Sequence, residues 1–160
     1  MKHQLESEFL KRGIASERLT FYTKKSIPDY LALHKEIDLI LDTFPYNGGT
    51  TTGFALWMGV PILTYVWDSL PGRASFFWLS SVGLQDEFAT FTEDEFIEKA
   101  EKWSCNVQVL NQLRYQSRDK IIHGERLKPE VVSHGIERFL KIVWQRFCAK
   151  LPAESFLIKK

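Results

Sequence analysis

Residues 37–61 read IDLILDTFPYNGGTTTGFALWMGVP, and the architecture of the chain follows from them. The opening run, Ile37-Asp38-Leu39-Ile40-Leu41, is short and β-branched, the pattern of a strand buried on both faces of a parallel sheet. Asp42 and Thr43 end it. Phe44-Pro45-Tyr46-Asn47-Gly48-Gly49 then excludes regular structure, because Pro45 lacks an amide hydrogen and the glycine pair opens backbone angles closed to other residues. Thr50, Thr51 and Thr52 suit a helix cap or first turn, and Phe54, Ala55, Trp57 and Met58 make an apolar segment that would lie against the sheet. Gly59 stops this helix, and Pro61 leads into Ile62-Leu63-Thr64-Tyr65-Val66, predicted as a second parallel strand.

A strand, a glycine turn and a helix that starts on hydroxyls together form an anion site. The unpaired N–H groups of the first helical turn point outward with the positive end of the dipole, and glycine lets a phosphate approach the backbone. Threonine hydroxyls add donors to the same oxygens. The plainer reading is that any βαβ unit needs a turn and a cap. Three successive threonines behind two glycines, at the carboxyl end of a parallel strand, point to phosphate. The stretch lacks Gly-Lys-Ser/Thr and Gly-x-Gly-x-x-Gly, so it is neither a Walker loop nor the dinucleotide fingerprint.

Around this centre the chain has 160 residues, 44% hydrophobic and 14% aromatic, which predicts one globular domain over 1–150 with a frayed tail at 151–160. Lysine and arginine number 21 against 20 acids, a net charge of +1, so no one-sign field draws in nucleic acid or a membrane surface. Cys105 and Cys148 stand far apart without a CxxC, as reduced, core-facing thiols of a cytoplasmic protein. His3, His34, His123 and His134 show no ligand spacing, so no metal is expected.

An amphipathic helix is predicted over Lys2–Lys11, ended by Gly13, then a strand over Arg18–Tyr22. Ser26 caps a helix over Ile27–Lys35, on which Tyr30 reads first as a half-buried aromatic. Asp68 or Ser69 caps a helix over Ala74–Val82, with Arg73 near its start on a solvated face or facing an anion. Thr92 and Glu95 form a capping box for a helix that runs through Trp103. Further helices follow from Val107 to Ile122 and over Val131–Ala149.

DTFPYNGGTTT (42–52), ALWMGVP (55–61) and DSLPGR (68–73) closely resemble the carboxyl-terminal catalytic region of O-linked N-acetylglucosaminyltransferases and their SPINDLY-like and bacterial tetratricopeptide-linked relatives. The resemblance runs from about Glu17 to the end. It implies an α/β fold, the incomplete C-terminal half of a GT-B glycosyltransferase: a Rossmann-like parallel sheet with flanking helices, lacking its first strands. That half holds the donor, usually UDP-N-acetylglucosamine, without metal or cofactor. It further implies that the ring at Tyr30 stacks on uracil, that the backbone at Lys25 meets the edge of the base, that Asn47, Gly48, Gly49, Thr50, Thr51 and Thr52 bind the donor, and that Arg73 faces its diphosphate or an acceptor. Three positions depart from the pattern. Ile27 stands where animal members have lysine, Gly49 where they have histidine, and Phe54 where an acid often bonds the ribose.

The function so implied is the donor-binding half of an enzyme that transfers N-acetylglucosamine or a related sugar from a UDP-sugar to protein serine or threonine. Its partners would be the UDP-sugar, the acceptor protein, and an N-terminal catalytic half with tetratricopeptide repeats. The family's base and acceptor site lie largely in that other half, so this chain alone should bind without turnover. The alternatives are a non-catalytic nucleotide-binding or scaffold module, favoured by Phe54, and a truncated fragment.

Overall fold

The computed structural model describes residues 2–124 and 128–156. The chain divides into two compact units, residues 1–33 and 34–160.

The first unit carries α1 (Lys2–Lys11) and α2 (Ile27–Leu33), with a short 3-10 turn at Ser16–Arg18 between them. Ser26 caps α2 as expected: its hydroxyl donates to Asp29 Oδ2 at 2.6 Å and accepts from the Asp29 N–H at 3.3 Å. The strand expected over Arg18–Tyr22 does not form. Leu19 is extended, at φ −108° and ψ 121°, but among the described residues of this unit the segment meets no ladder partner.

The second unit is built on a three-stranded parallel sheet in the order β1-β2-β3, comprising β1 (Ile40–Leu41), β2 (Ile62–Tyr65) and β3 (Ala89–Thr90). Ile40 pairs with Ile62 and Leu41 with Leu63, while Thr64 pairs with Ala89 and Tyr65 with Thr90. α3 (Thr50–Trp57) crosses from β1 to β2, and α4 (Ala74–Val82) with the short α5 (Gln85–Phe88) crosses from β2 to β3. α6 (Glu93–Ser104), α7 (Val107–His123) and α8 (Pro129–Cys148) follow. β2, the central strand, is buried from Ile62 through Thr64. β1 is shorter than the run that predicted it. As the edge of the described sheet it is covered from one side only, and Leu41 is 56% exposed where two-sided burial was expected.

The main core gathers Leu56, Leu79, Val82, Leu84 and Phe88 with Trp103 and Leu110. Phe88 is fully buried and stacks on Trp103 with ring centroids 4.7 Å apart. Thr92 caps α6 through its side-chain oxygen, which accepts from the Glu95 N–H at 3.2 Å, and Glu95 reaches back to the Phe91 N–H at 3.0 Å. Both cysteines are exposed rather than core-facing: Cys105 sits at the C-cap of α6, and Cys148 ends α8, which has no buried residue. Beyond α8, Leu151 to Phe156 return along it: Arg146 bonds the Pro152 carbonyl at 2.9 Å and Glu154 at 2.6 Å, and Phe156 stacks on Phe139. Residues 157–160 of the expected tail lie outside the described residues.

Candidate functional site

The site grows from the end of β1. The first residue past the strand is Asp42, and its two oxygens divide their work. Oδ1 accepts from the backbone N–H groups of Thr43 and Gly48, both at 2.9 Å. Oδ2 accepts from Asn47 Nδ2 and Thr64 Oγ1, both at 2.8 Å. A carboxylate with several donors is a rigid anchor, and this one ties the turn to the central strand. Asn47, 2% exposed, completes the tie: its amide nitrogen also meets Thr64 Oγ1 at 2.8 Å and the Tyr65 carbonyl at 3.3 Å. Its Oδ1 is buried and has no hydrogen-bond partner among the described residues.

Gly48 is held from both sides. Its N–H goes to Asp42, and its carbonyl accepts from the hydroxyl of buried Ser75 on α4 at 3.0 Å. Ser75 Oγ also lies 2.8 Å from Thr52 Oγ1. A Cβ at this position would sit 2.5 Å from Thr52 Oγ1 and 2.8 Å from Thr51 Oγ1, so only glycine fits. α3 begins at Thr50 with Gly49 at its cap and no side chain capping it. Its first N–H groups have no intrahelical partner by the geometry of a helix start, and they face the turn.

Above this turn opens a groove of about 720 Å³, lined on one side by Tyr46, Asn47 and Gly49 and on the other by Pro71, Arg73 and Phe77. Arg73 is the cation at this rim, 58% exposed and ion-paired with Asp68, which is 92% exposed. The Ser69 hydroxyl accepts from the Gly72 N–H at 3.0 Å within the short 3-10 turn Pro71–Arg73 that leads into α4. Phe44, Tyr65 and Trp67 pack ring to ring beyond the ends of β1 and β2, with Phe44 centred 4.7 Å from Tyr65 and 5.1 Å from Trp67.

Of the residues singled out in the sequence, Asn47, Gly48, Gly49, Thr50, Thr51, Thr52 and Arg73 fall in this second unit. Asn47, Gly49 and Arg73 share the groove, while Thr50 and Thr51 are exposed on the first turn of α3. Thr52 turns inward, 2% exposed and bonded to Ser75, so its hydroxyl shapes the turn from beneath. Asn47 likewise acts as a strut. Lys25 and Tyr30 belong to the first unit, where the Lys25 ammonium lies 5.5 Å from the Tyr22 ring centre and Tyr30 is half-buried on α2. Asp42, Thr64 and Ser75 were not singled out. The one signal available was a polar side chain interrupting each of three otherwise apolar stretches.

The model of glycosyl transferase family 41 matches residues 2–128. The chain belongs to glycosyl transferase family 41. Among its family 41 relatives is the probable UDP-N-acetylglucosamine–peptide N-acetylglucosaminyltransferase SPINDLY of Hordeum vulgare, 32% identical over 120 residues, 75% of this chain and 13% of that protein. The Solanum lycopersicum protein of the same name is also 32% identical over 120 residues. The Caenorhabditis elegans UDP-N-acetylglucosamine–peptide N-acetylglucosaminyltransferase is 23% identical over 145 residues, 91% of this chain and 12% of that protein. A solved O-GlcNAc transferase mutant of Thermobaculum terrenum superposes with a TM-score of 0.80 at 31% identity, covering 92% of this chain and 28% of that one. The parallel sheet with flanking helices is therefore part of the family 41 GT-B fold. The chain spans 13% of the length of the SPINDLY relatives it matches.

Proposed function

We propose that the second unit carries the diphosphate part of a donor site, and that the chain is the donor-binding half of a glycosyltransferase moving N-acetylglucosamine or a related sugar from a UDP-sugar to protein serine or threonine. One observation supports this most: the glycine turn, anchored by Asp42, places Gly49, the cap of α3, in the lining of a groove that Arg73 also lines. Membership of family 41 supplies the chemical class, and the names of the relatives supply donor and acceptor. When the glycosidic bond breaks, negative charge grows on the β-phosphate. Backbone N–H groups fixed beforehand, the Thr50 and Thr51 hydroxyls and the Arg73 guanidinium stabilise it without rearranging and without calling on a metal.

Calorimetric titration of the chain with UDP, UDP-N-acetylglucosamine and GDP, repeated on Thr50→Ala/Thr51→Ala, tests this reading. Saturable, uridine-selective binding weakened by the double substitution is expected. A folded chain that binds none of the three overturns it. A non-catalytic nucleotide-binding module is the second reading, favoured by Phe54 on α3, whose side chain has no atom to accept a ribose hydroxyl.

A further inference from the structure

Gly48 is gripped by two side chains from different elements. Asp42, at the end of β1, takes the N–H; Ser75, on α4 and fully buried, takes the carbonyl. The Gly48 N–H lies in the Asn47–Gly48 peptide plane and the Gly48 carbonyl in the Gly48–Gly49 plane, so holding both orients two successive planes, and the second carries the Gly49 N–H. The residues that follow are Gly49, with nothing within 4 Å of a built Cβ, and the exposed Thr50 and Thr51. Left free, a glycine pair samples many backbone angles, and the N–H groups after it would point in many directions. The grip also withdraws the N–H of Gly48 from any ligand, since it is spent on a carboxylate.

We propose that Asp42 and Ser75 are positioning residues, which clamp the two peptide planes that meet at Gly48 so that the N–H groups of Gly49, Thr50 and Thr51, and not that of Gly48, meet an anionic ligand. This rests on the reading of the turn as a diphosphate site. Ser75 adds a coupling that Asp42 cannot. It rides on α4, which also contributes Phe77 to the wall of the groove, so its hydroxyl ties the turn to that wall.

Amide NMR of the full chain during titration with UDP tests the clamp, in wild type and in Ser75→Ala, Asp42→Ala and Asp42→Asn. Ser75→Ala removes one hydroxyl from a buried site and leaves the backbone intact. In wild type the Gly49, Thr50 and Thr51 amides shift with UDP while the Gly48 amide holds still. Ser75→Ala and Asp42→Ala each weaken UDP binding about tenfold, and in Asp42→Ala the Gly48 amide joins the shifting set. Asp42→Asn, which keeps an acceptor for Gly48, restores binding toward wild type. Thr90→Val removes a buried hydroxyl bond of 3.0 Å to the Thr64 carbonyl without touching the turn, and leaves UDP affinity unchanged, separating positioning from general loss of stability. Wild-type affinity in Ser75→Ala, or a Gly48 amide that moves as far as Gly49 in wild type, overturns the clamp while the donor-site reading stands. UDP binding to none of the proteins overturns both.

Discussion

Thr64 Oγ1 lies 2.8 Å from Asn47 Nδ2 and 2.8 Å from Asp42 Oδ2, so one buried hydroxyl on the central strand closes the triangle beneath the glycine turn. Thr64→Val keeps the shape of the side chain and removes the hydroxyl, leaving one donor fewer for a carboxylate and one acceptor fewer for an amide. The expected loss is about 1–3 kcal/mol in unfolding free energy, read from urea denaturation.

Gly59 adopts φ +81°, and a Cβ there would sit 2.4 Å from the Arg114 carbonyl oxygen. That carbonyl belongs to the backbone of α7 and cannot step aside as a flexible side chain would. Gly59→Ala combines a left-handed angle with a clash, and we expect a loss of at least about 2 kcal/mol, seen as a lower thermal midpoint.

Glu95 is held below its ordinary value of 4.5, first by the Phe91 N–H and then by the Lys99 side chain. A carboxylate depressed in the folded state stabilises the fold above the value it has when unfolded, and that contribution is lost as pH falls through the folded value. Glu95→Gln should therefore lower the urea midpoint at pH 7 and converge with wild type well below pH 4.5. A difference that persists into acid would contradict this assignment.

Asp68 occupies the guanidinium of Arg73 at the rim of the groove. Both side chains are well exposed, so their attraction is screened and worth about 0.2–1 kcal/mol. Asp68→Asn should free Arg73 and tighten UDP binding up to about fivefold, an effect erased in 0.5–1 M salt, roughly, where the Debye length shrinks toward about 3 Å. Calorimetry at two salt concentrations reads both.

Much of the second unit was legible in the sequence. The run at Ile62–Val66 gave β2, Ala74–Val82 gave α4 residue for residue, and Thr92 with Glu95 located the start of α6. β3 escaped because Ala89–Thr90 is a two-residue strand with no run of apolar residues to announce it; its place is set by pairing with Thr64 and Tyr65. Leu41 escaped because burial at a sheet edge depends on what lies beside it. In the site, spacing marked the glycines and threonines, yet it could not show which hydroxyls face outward. Thr51 and Thr52 are adjacent and chemically identical, and the helix sends one to solvent and the other to Ser75.

The parallel order of the sheet has a consequence for how the unit folds. Thr64 meets Asp42 across 22 residues and Thr90 meets Thr64 across 26, so no part of the ladder is available to a local hairpin. Each strand pairing must first close a loop that contains an entire crossover helix, and the entropic cost of closure falls before any ladder bond repays it. The sheet, and the carboxylate triangle at its end, should thus be a late acquisition of the folding pathway. Substitutions at Asp42 or Thr64 would then quicken unfolding far more than they slow folding.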